Sequence, residues 1–386
     1  MKRLALTALA LCLALAPGCY DLTELTELGL IESVAIDTSA AGEGYEFTAE
    51  FMTPADRGDD AIQGKGFEPW LASADGPTLH AAINHIRRRV SRLPFYQHAE
   101  VVVFGRPLAQ RGLTSALDLL TRDSRGRRTL RLVVTEGTGR EALAATSGLE
   151  TTAAGALVGL LEIQQTMGYS RMVSLNEFML MATSEAGMGL LPLVRAAKQP
   201  GSAAGEDEPL LEVAGLGIFD GDRLVGTVEG PAARGVLWLR GELGRGALFG
   251  TLPGGQVSAE FSGVSSRTRA AFVRGEPAIR VEIQGRLTLL EDGFGVPLVK
   301  KVPMMEDLFE AQVRTEVEAA LDEVLRGMRA DVFGFADALH RSDHRQWQRL
   351  KGSWREWLAG LNVEVDVKLS LGHLGLTTTR ILFGGP

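Results

Sequence analysis

Both cysteines of this chain stand near its beginning, Cys12 and Cys19, and none follows before Pro386. No disulfide can therefore staple the folded part, and no thiolate cluster can hold a metal there. The fold must be held by core burial, which a chain of 386 residues can supply. The same region says where folding takes place. Met1-Lys2-Arg3 is a short basic start, and residues 4–16, LALTALALCLALA, carry no charge. A secretory h-region has about 7–15 apolar residues, whereas a membrane-spanning helix needs about 18 or more. The run fits a signal peptide over residues 1–18. The alternative is a buried core helix, and a position at the extreme N-terminus behind two basic residues argues against it.

Two cleavage points compete. Ala14-Leu15-Ala16 offers a small-x-small site, but it puts Pro17 just after the cut, and proline fits poorly in an extended, protease-bound strand. Cleavage between Gly18 and Cys19 resembles the bacterial lipoprotein pattern, with Ala16 standing where that pattern usually has Leu. Cys12 would then leave with the signal peptide. Cys19 would take the lipid, because a thiolate is the side-chain nucleophile suited to forming a thioether. One acyl chain binds a membrane only marginally and two hold stably, at about 0.8 kcal/mol per buried CH₂. A diacyl anchor, with palmitate-type chains, supplies two on one residue.

The hydrophobic share is 45%, the charged share 23% and the net charge −8. These values suit a globular protein and exclude a general nucleic-acid binder, which would carry a basic footprint. No later stretch is apolar enough to cross a bilayer, so the sequence reads as anchored to the membrane rather than spanning it.

Residues 30–38 (LIESVAIDT) and 45–54 (YEFTAEFMTP) read as strands joined by a turn, and 55–76 as a Gly- and Asp-rich loop. Residues 78–93 read as one helix, with Leu79, Ile83, Ile86 and Val90 on one face. AEVVVFG and TLRLVV are buried-type strands, with a short helix, SALDLLTRD, between them. Two helices follow, the second opened by a capping box, Ser174-x-x-Glu177. The Pro/Gly/Ser/acidic stretch 198–209 is a domain boundary or an exposed loop. Beyond it, Asp220-Gly221 marks a hairpin with a type I′ turn. AIRVEIQGRLTLL puts Val281, Ile283 and Leu287 on one face and Arg280, Glu282, Gln284 and Arg286 on the other. A long helix from Pro303 carries the stripe Met305, Leu308, Phe309, Val313, Val317, Leu321, Val324 and Met328. NVEVDVKLSL closes with Val363, Val365, Val367, Leu369 and Leu371 facing a core. The fold class is α+β, multidomain, with mixed and antiparallel sheets. Residues 19–200 form an N-terminal α/β region of one or two subdomains, and 210–386 a C-terminal α+β domain.

Signals for chemistry are weak. Gly137-x-Gly139-x-x-Ala142 echoes a dinucleotide fingerprint, but a second helix follows where that fold needs a strand, so a plain strand-turn-helix is favoured. His340 and His344 have metal-ligand spacing without a third ligand, which favours a helix-surface or capping role. Arg87, Arg88, Arg89 and Arg92 could meet anionic headgroups, but a solvated helix face is favoured. Trp347, Trp354 and Trp357 read better as core than as a contact surface. No nucleophile elbow, P-loop or EF-hand loop is present. The reading is no catalytic residue, no metal and no cofactor.

One family match reaches beyond these fragments. Gly18, Cys19, Tyr20, Asp21, Glu24 and Leu25 resemble the opening of the Ger(x)C family, the lipoprotein C subunits of spore nutrient germinant receptors, with Tyr20 where the family usually has Trp. YEFTAEFMTP, HAEVVVFGRPLAQRGL and GLGIFDGDRLVG follow in family order. The strongest late match is RADVFGFADALHRSDHRQWQRLKGSWREW, with Asp331, Phe333, Gly334, Phe335, His340, Arg341 and Trp347 at family positions. The resemblance covers nearly all of the chain after Gly18. It implies a three-domain arrangement with mixed sheets, and a non-enzymatic subunit, lipid-anchored on the outer face of the spore inner membrane. It would work with membrane-embedded A and B subunits and be needed for nutrient-triggered germination. The late motif residues would be structural or interface groups. A solute-binding lipoprotein of a transporter is the rival, and would require two βαβ lobes around a cleft.

Overall fold

The computed structural model describes residues 27–54, 67–122, 128–145, 149–197, 209–253, 255–292 and 301–373. Gly18, Cys19, Tyr20, Asp21 and Glu24 lie outside them.

Strands β1 (Leu28–Thr38) and β2 (Tyr45–Pro54) pair antiparallel, as their alternation requires. β3 (Phe67–Gly76) then adds to β2. This strand corrects the loop reading of 55–76. Pro69 and its small, acidic neighbours hide it, and the sheet accepts them because β3 is an edge strand. Helix α1 (Leu79–Ile86) is capped by the Thr78 side chain and stops at Ile86, so residues 87–93 are not helical as expected. Arg88 and Arg89 N–H groups instead close tight turns onto His85 and Ile86 carbonyls. β4 (Leu93–Phe95) runs beside β1.

β5 (Val101–Gly105) is buried at every position, the signature of a parallel strand covered on both faces. Two helices, α2 (Arg106–Arg111) and α3 (Thr114–Arg122), lead to β6 (Arg131–Thr135). Helices α4 (Gly139–Ala144), α5 (Ala153–Met167) and α6 (Leu175–Ala182) follow. The Ser174/Glu177 capping box of α6 is formed as expected. β7 (Met188–Ala197), β8 (Leu210–Asp220) and β9 (Arg223–Glu229) complete a mixed nine-stranded sheet in the order β3-β2-β1-β5-β6-β7-β8-β9, with β4 beside β1. Because β7 pairs with β8, this sheet continues across the stretch 198–209. The β8–β9 turn is centred on Gly221-Asp222, and of the two only Gly221 has positive φ (57°). That is the type II′ pattern, with glycine first, and it corrects the type I′ expectation.

Helix α7 (Gly230–Arg240) leads into a second sheet of β10 (Arg245–Leu252), β11 (Gly255–Val273), β12 (Glu276–Asp292) and β13 (Val363–His373). β12 and β13 pair in parallel, and their alternating residues bury Val281, Ile283, Leu287, Val363, Val367 and Leu369. Between them comes α8 (Val302–Ala320), extended by a π-helical segment, Leu321–Gly327. Met305, Phe309, Val313, Val317, Leu321 and Val324 of its expected stripe are all buried. Helices α9 (Phe335–Ser342), α10 (His344–Leu350) and α11 (Trp354–Trp357) precede β13. The architecture is α+β with mixed sheets.

Candidate functional site

The late motif folds around one carboxylate. Asp331 is buried, and its Oδ1 accepts the N–H groups of Phe333 (3.2 Å) and Phe335 (3.1 Å). Its Oδ2 accepts the Ala336 N–H (2.7 Å) and the Trp354 indole N–H (3.2 Å). Asp331 therefore fills the donor-rich start of α9, where a helix leaves its first N–H groups free. Gly334 precedes that helix with φ of 80°, a left-handed turn that suits glycine. Burial pushes the Asp331 carboxyl above its ordinary range, and the four donors oppose the rise. Phe333 and Phe335 stack at 5.3 Å.

A second carboxylate ties this motif to the first half of the chain. Glu185 lies between α6 and β7. Its Oε2 accepts the indole N–H of the fully buried Trp347 (2.9 Å), and its Oε1 lies 2.9 Å from His340 Nδ1. Trp347 meets Trp354 edge-on at 5.6 Å, so the two indoles join the Glu185 and Asp331 carboxylates through one aromatic contact. Trp347 and Trp354 are core residues, as expected. Trp357 is 37% exposed and departs from that reading, because it ends a single helical turn on the surface.

His340 and His344 touch each other, Nε2 to Nδ1 at 2.7 Å. They do not share one helix: α9 ends at Ser342, and Asp343 caps α10, which His344 opens. Both His340 nitrogens and His344 Nδ1 are engaged, with each other and with Glu185. Among the described residues, no group of three or more His, Cys, Asp or Glu side chains is placed to hold a metal.

Arg341 is exposed and lines a cleft of about 400 Å³ beside Asp337, Phe333, Arg240 and Glu242. Arg240 and Glu242 pair along this cleft. Arg240 holds Glu242 through Nε (2.8 Å) and donates to the Val332 carbonyl. Arg171 bridges Glu242 and the capping carboxylate of Glu177. Serine and backbone donors with Arg171 hold the Glu177 carboxyl below its ordinary range, against a burial effect of opposite sign. The arrangement is a polar seam between the α6–β7 region and the late motif, with no nucleophile set beside a base.

Phe333, Gly334, Phe335, His340 and Trp347 thus come together, and Arg341 stands at the rim. The sequence reading missed Glu185, Arg171, Arg240 and Glu242, because the contacts that join them to the seam, Glu185–Trp347, Arg171–Glu242 and Arg240–Val332, are distant in sequence. It also missed two buried acids of the first sheet. Asp37 accepts the N–H groups of Gly139 (2.8 Å) and Arg140 (3.1 Å), at the place where a dinucleotide phosphate would sit in a true fingerprint. Glu50 accepts from Ala153 (2.6 Å), Ala154 (3.1 Å) and the Ser33 hydroxyl (2.6 Å). The Gly137-x-Gly139 element is a strand-turn-helix whose anion is the protein's own, and Gly139 is small because a Cβ there would strike Ala35.

Comparison with known proteins agrees across both halves. Residues 21–196 match the family described as spore germination protein N-terminal domain, and residues 214–375 the family described as spore germination B3/GerAC like, C-terminal. The chain belongs to the Ger(x)C family of spore germination proteins. It is 23% identical over 402 residues to spore germination protein KC of Bacillus subtilis (strain 168), covering 98% of each chain. It is 20% identical over 377 residues to spore germination protein B3 of the same strain, covering 95% of each. The crystal structure of the GerBC protein shares the fold, with a TM-score of 0.55 at 16% identity, over 88% of this chain and 96% of that one.

Proposed function

We propose that this protein is a lipid-anchored, non-catalytic subunit of a spore nutrient germinant receptor, required for germination triggered by nutrients. The observation that carries the reading is the pair of family matches running almost end to end, the first beginning two residues after Cys19. Gly18-Cys19 is the processing site and Cys19 the lipid attachment. No helix among the described residues is long and apolar enough to cross a membrane, which fits an anchor as the means of attachment. The partners are membrane-embedded A and B subunits, and the location is the outer face of the spore inner membrane. The late motif and its seam hold the two halves in register for those partners. The expected division into 19–200 and 210–386 is drawn instead after β9, because β8 and β9 complete the first sheet.

Deleting the gene in a strain lacking other receptors tests this directly. Nutrient germination is expected to fail, while germination by agents that bypass receptors stays normal. A normal nutrient response in that strain would overturn the reading. Cys19→Ala is expected to leave the N-terminal peptide unlipidated and the protein weakly held by membranes. An unchanged peptide mass together with unchanged membrane partitioning would sink the anchor assignment.

A further inference from the structure

A mostly apolar, partly open cavity of about 170 Å³ lies in the first half of the molecule, away from the late motif. Its floor is the sheet, where Val34 and Val102 face it, and Leu120 of α3 closes one side. The opposite wall is a single face of α1: His80, Ile83, Asn84 and Arg87 follow the i, i+3, i+4, i+7 spacing of one helical stripe. Arg87, at the C-cap, has an exposed side chain with no carboxylate partner among the described residues.

Tyr96 also lines the cavity. Its ring is held edge-on against Phe47 at 6.0 Å, and its hydroxyl is buried with no hydrogen-bond partner. Buried polar groups in native proteins are almost always paired, so an orphaned hydroxyl in an apolar chamber calls for a ligand or a water. The Arg87 charge acts on this hydroxyl and partly opposes the rise that burial causes, to about 12. Among the described lining residues there is no Asp or Glu. An ammonium group would therefore meet no opposite charge, whereas an anion would meet a hydroxyl donor and a guanidinium.

We propose that this cavity binds a small monocarboxylate with a compact apolar body. An apolar cavity of about 150 Å³ holds one benzene, so this one takes a body of roughly six to eight carbon atoms. The body fills the space between the sheet and α1. The carboxylate accepts from the Tyr96 hydroxyl and faces Arg87. The proposal goes beyond the receptor reading and does not depend on it.

The test uses the purified full chain in detergent and titrates 4-methylpentanoate and phenylacetate by calorimetry or ligand-observed NMR. Two controls keep the shape and change the charge: 4-methylpentanamide removes the anion, and leucine adds an ammonium. Both carboxylates are expected to bind, the amide to bind roughly tenfold more weakly, and leucine not to bind. Tyr96→Phe and the surface change Arg87→Gln are each expected to weaken carboxylate binding roughly threefold to tenfold. Tyr96→Phe also removes an unpaired buried hydroxyl, so the thermal midpoint of the free protein is expected to hold or rise. Leu120→Trp, which fills the chamber, is expected to abolish binding; if it fails to fold, the Arg87→Gln result decides. No binding at about 10 mM of either carboxylate, equal binding of the amide, or affinity unchanged in Arg87→Gln would each overturn the proposal.

Discussion

Single buried carboxylates govern how the first sheet meets its helices. Asp37 is 2% exposed, and desolvation raises its pKa from 3.8 to about 6, although two backbone N–H groups pull the other way. Between about pH 4 and 6 the folded chain therefore binds more protons at this site than the unfolded chain. Stability from Asp37 falls as pH rises through that window and is level above it, a change of about 3 kcal/mol at most. Asp37→Asn cannot ionise. Urea midpoints measured at pH 4.5 and 7.5 are expected to differ less in Asp37→Asn than in the parent protein. An identical difference in both would show that Asp37 does not titrate in that range. Asp37→Ala goes further and orphans the Gly139 and Arg140 N–H groups, an expected loss of about 1–3 kcal/mol.

At the scale of elements, the legible parts were those whose burial follows a simple period. The alternation in β12 and β13, the stripe on α8 and the α6 capping box all stand where periodicity and capping rules put them. β3 was invisible because its proline and acidic residues oppose strand propensity, and only its edge position makes them tolerable. The end of α1 was misplaced because Val90 continues the apolar spacing after the helix has turned off at Ile86. The contact between α7 and α8 was also unreadable, since it depends on a glycine whose neighbour is distant in sequence. A Cβ on Gly235 would strike the Glu316 carbonyl, so the two helices touch backbone to backbone there. Beside that contact, Glu316 takes the Trp238 indole N–H (2.8 Å) and lies 3.4 Å from Arg234 Nε, all three buried. Gly235→Ala must push α8 away from this ion pair. Overpacking of this kind costs typically 1–3 kcal/mol, and the gain in helix propensity returns at most about 1 kcal/mol. A lowered midpoint in thermal unfolding is the expected result, and an unchanged or raised midpoint would show that the helices can slide apart freely.

For the whole molecule, the question is how the late motif is held to the first sheet's side of the chain. The residues that define the motif were readable as a group, from Asp331 to Trp347. The residue that fastens them was not, because nothing around Glu185 in sequence marks it. Its carboxylate serves the buried Trp347 indole on one oxygen and His340 on the other, and Asp337 accepts the Glu185 N–H in return (3.3 Å). The Arg171–Glu242–Arg240 chain supports the same seam from the other side. The indole bond is the strongest lever, since Trp347 is fully buried and its N–H has no water to turn to. Glu185→Ala is expected to cost about 1–3 kcal/mol and to speed amide hydrogen exchange across residues 335–357. Glu185→Gln keeps an acceptor for the indole and should lose less than about 1 kcal/mol. If both variants exchange like the parent, Glu185 does not fasten the motif, and the hydrophobic contacts of Trp347 and Phe335 suffice. If Glu185→Ala alone loosens 335–357 while the β12–β13 pairing stays protected, the seam is a local joint. Nutrient germination by spores carrying that variant would then report whether the receptor needs the joint closed.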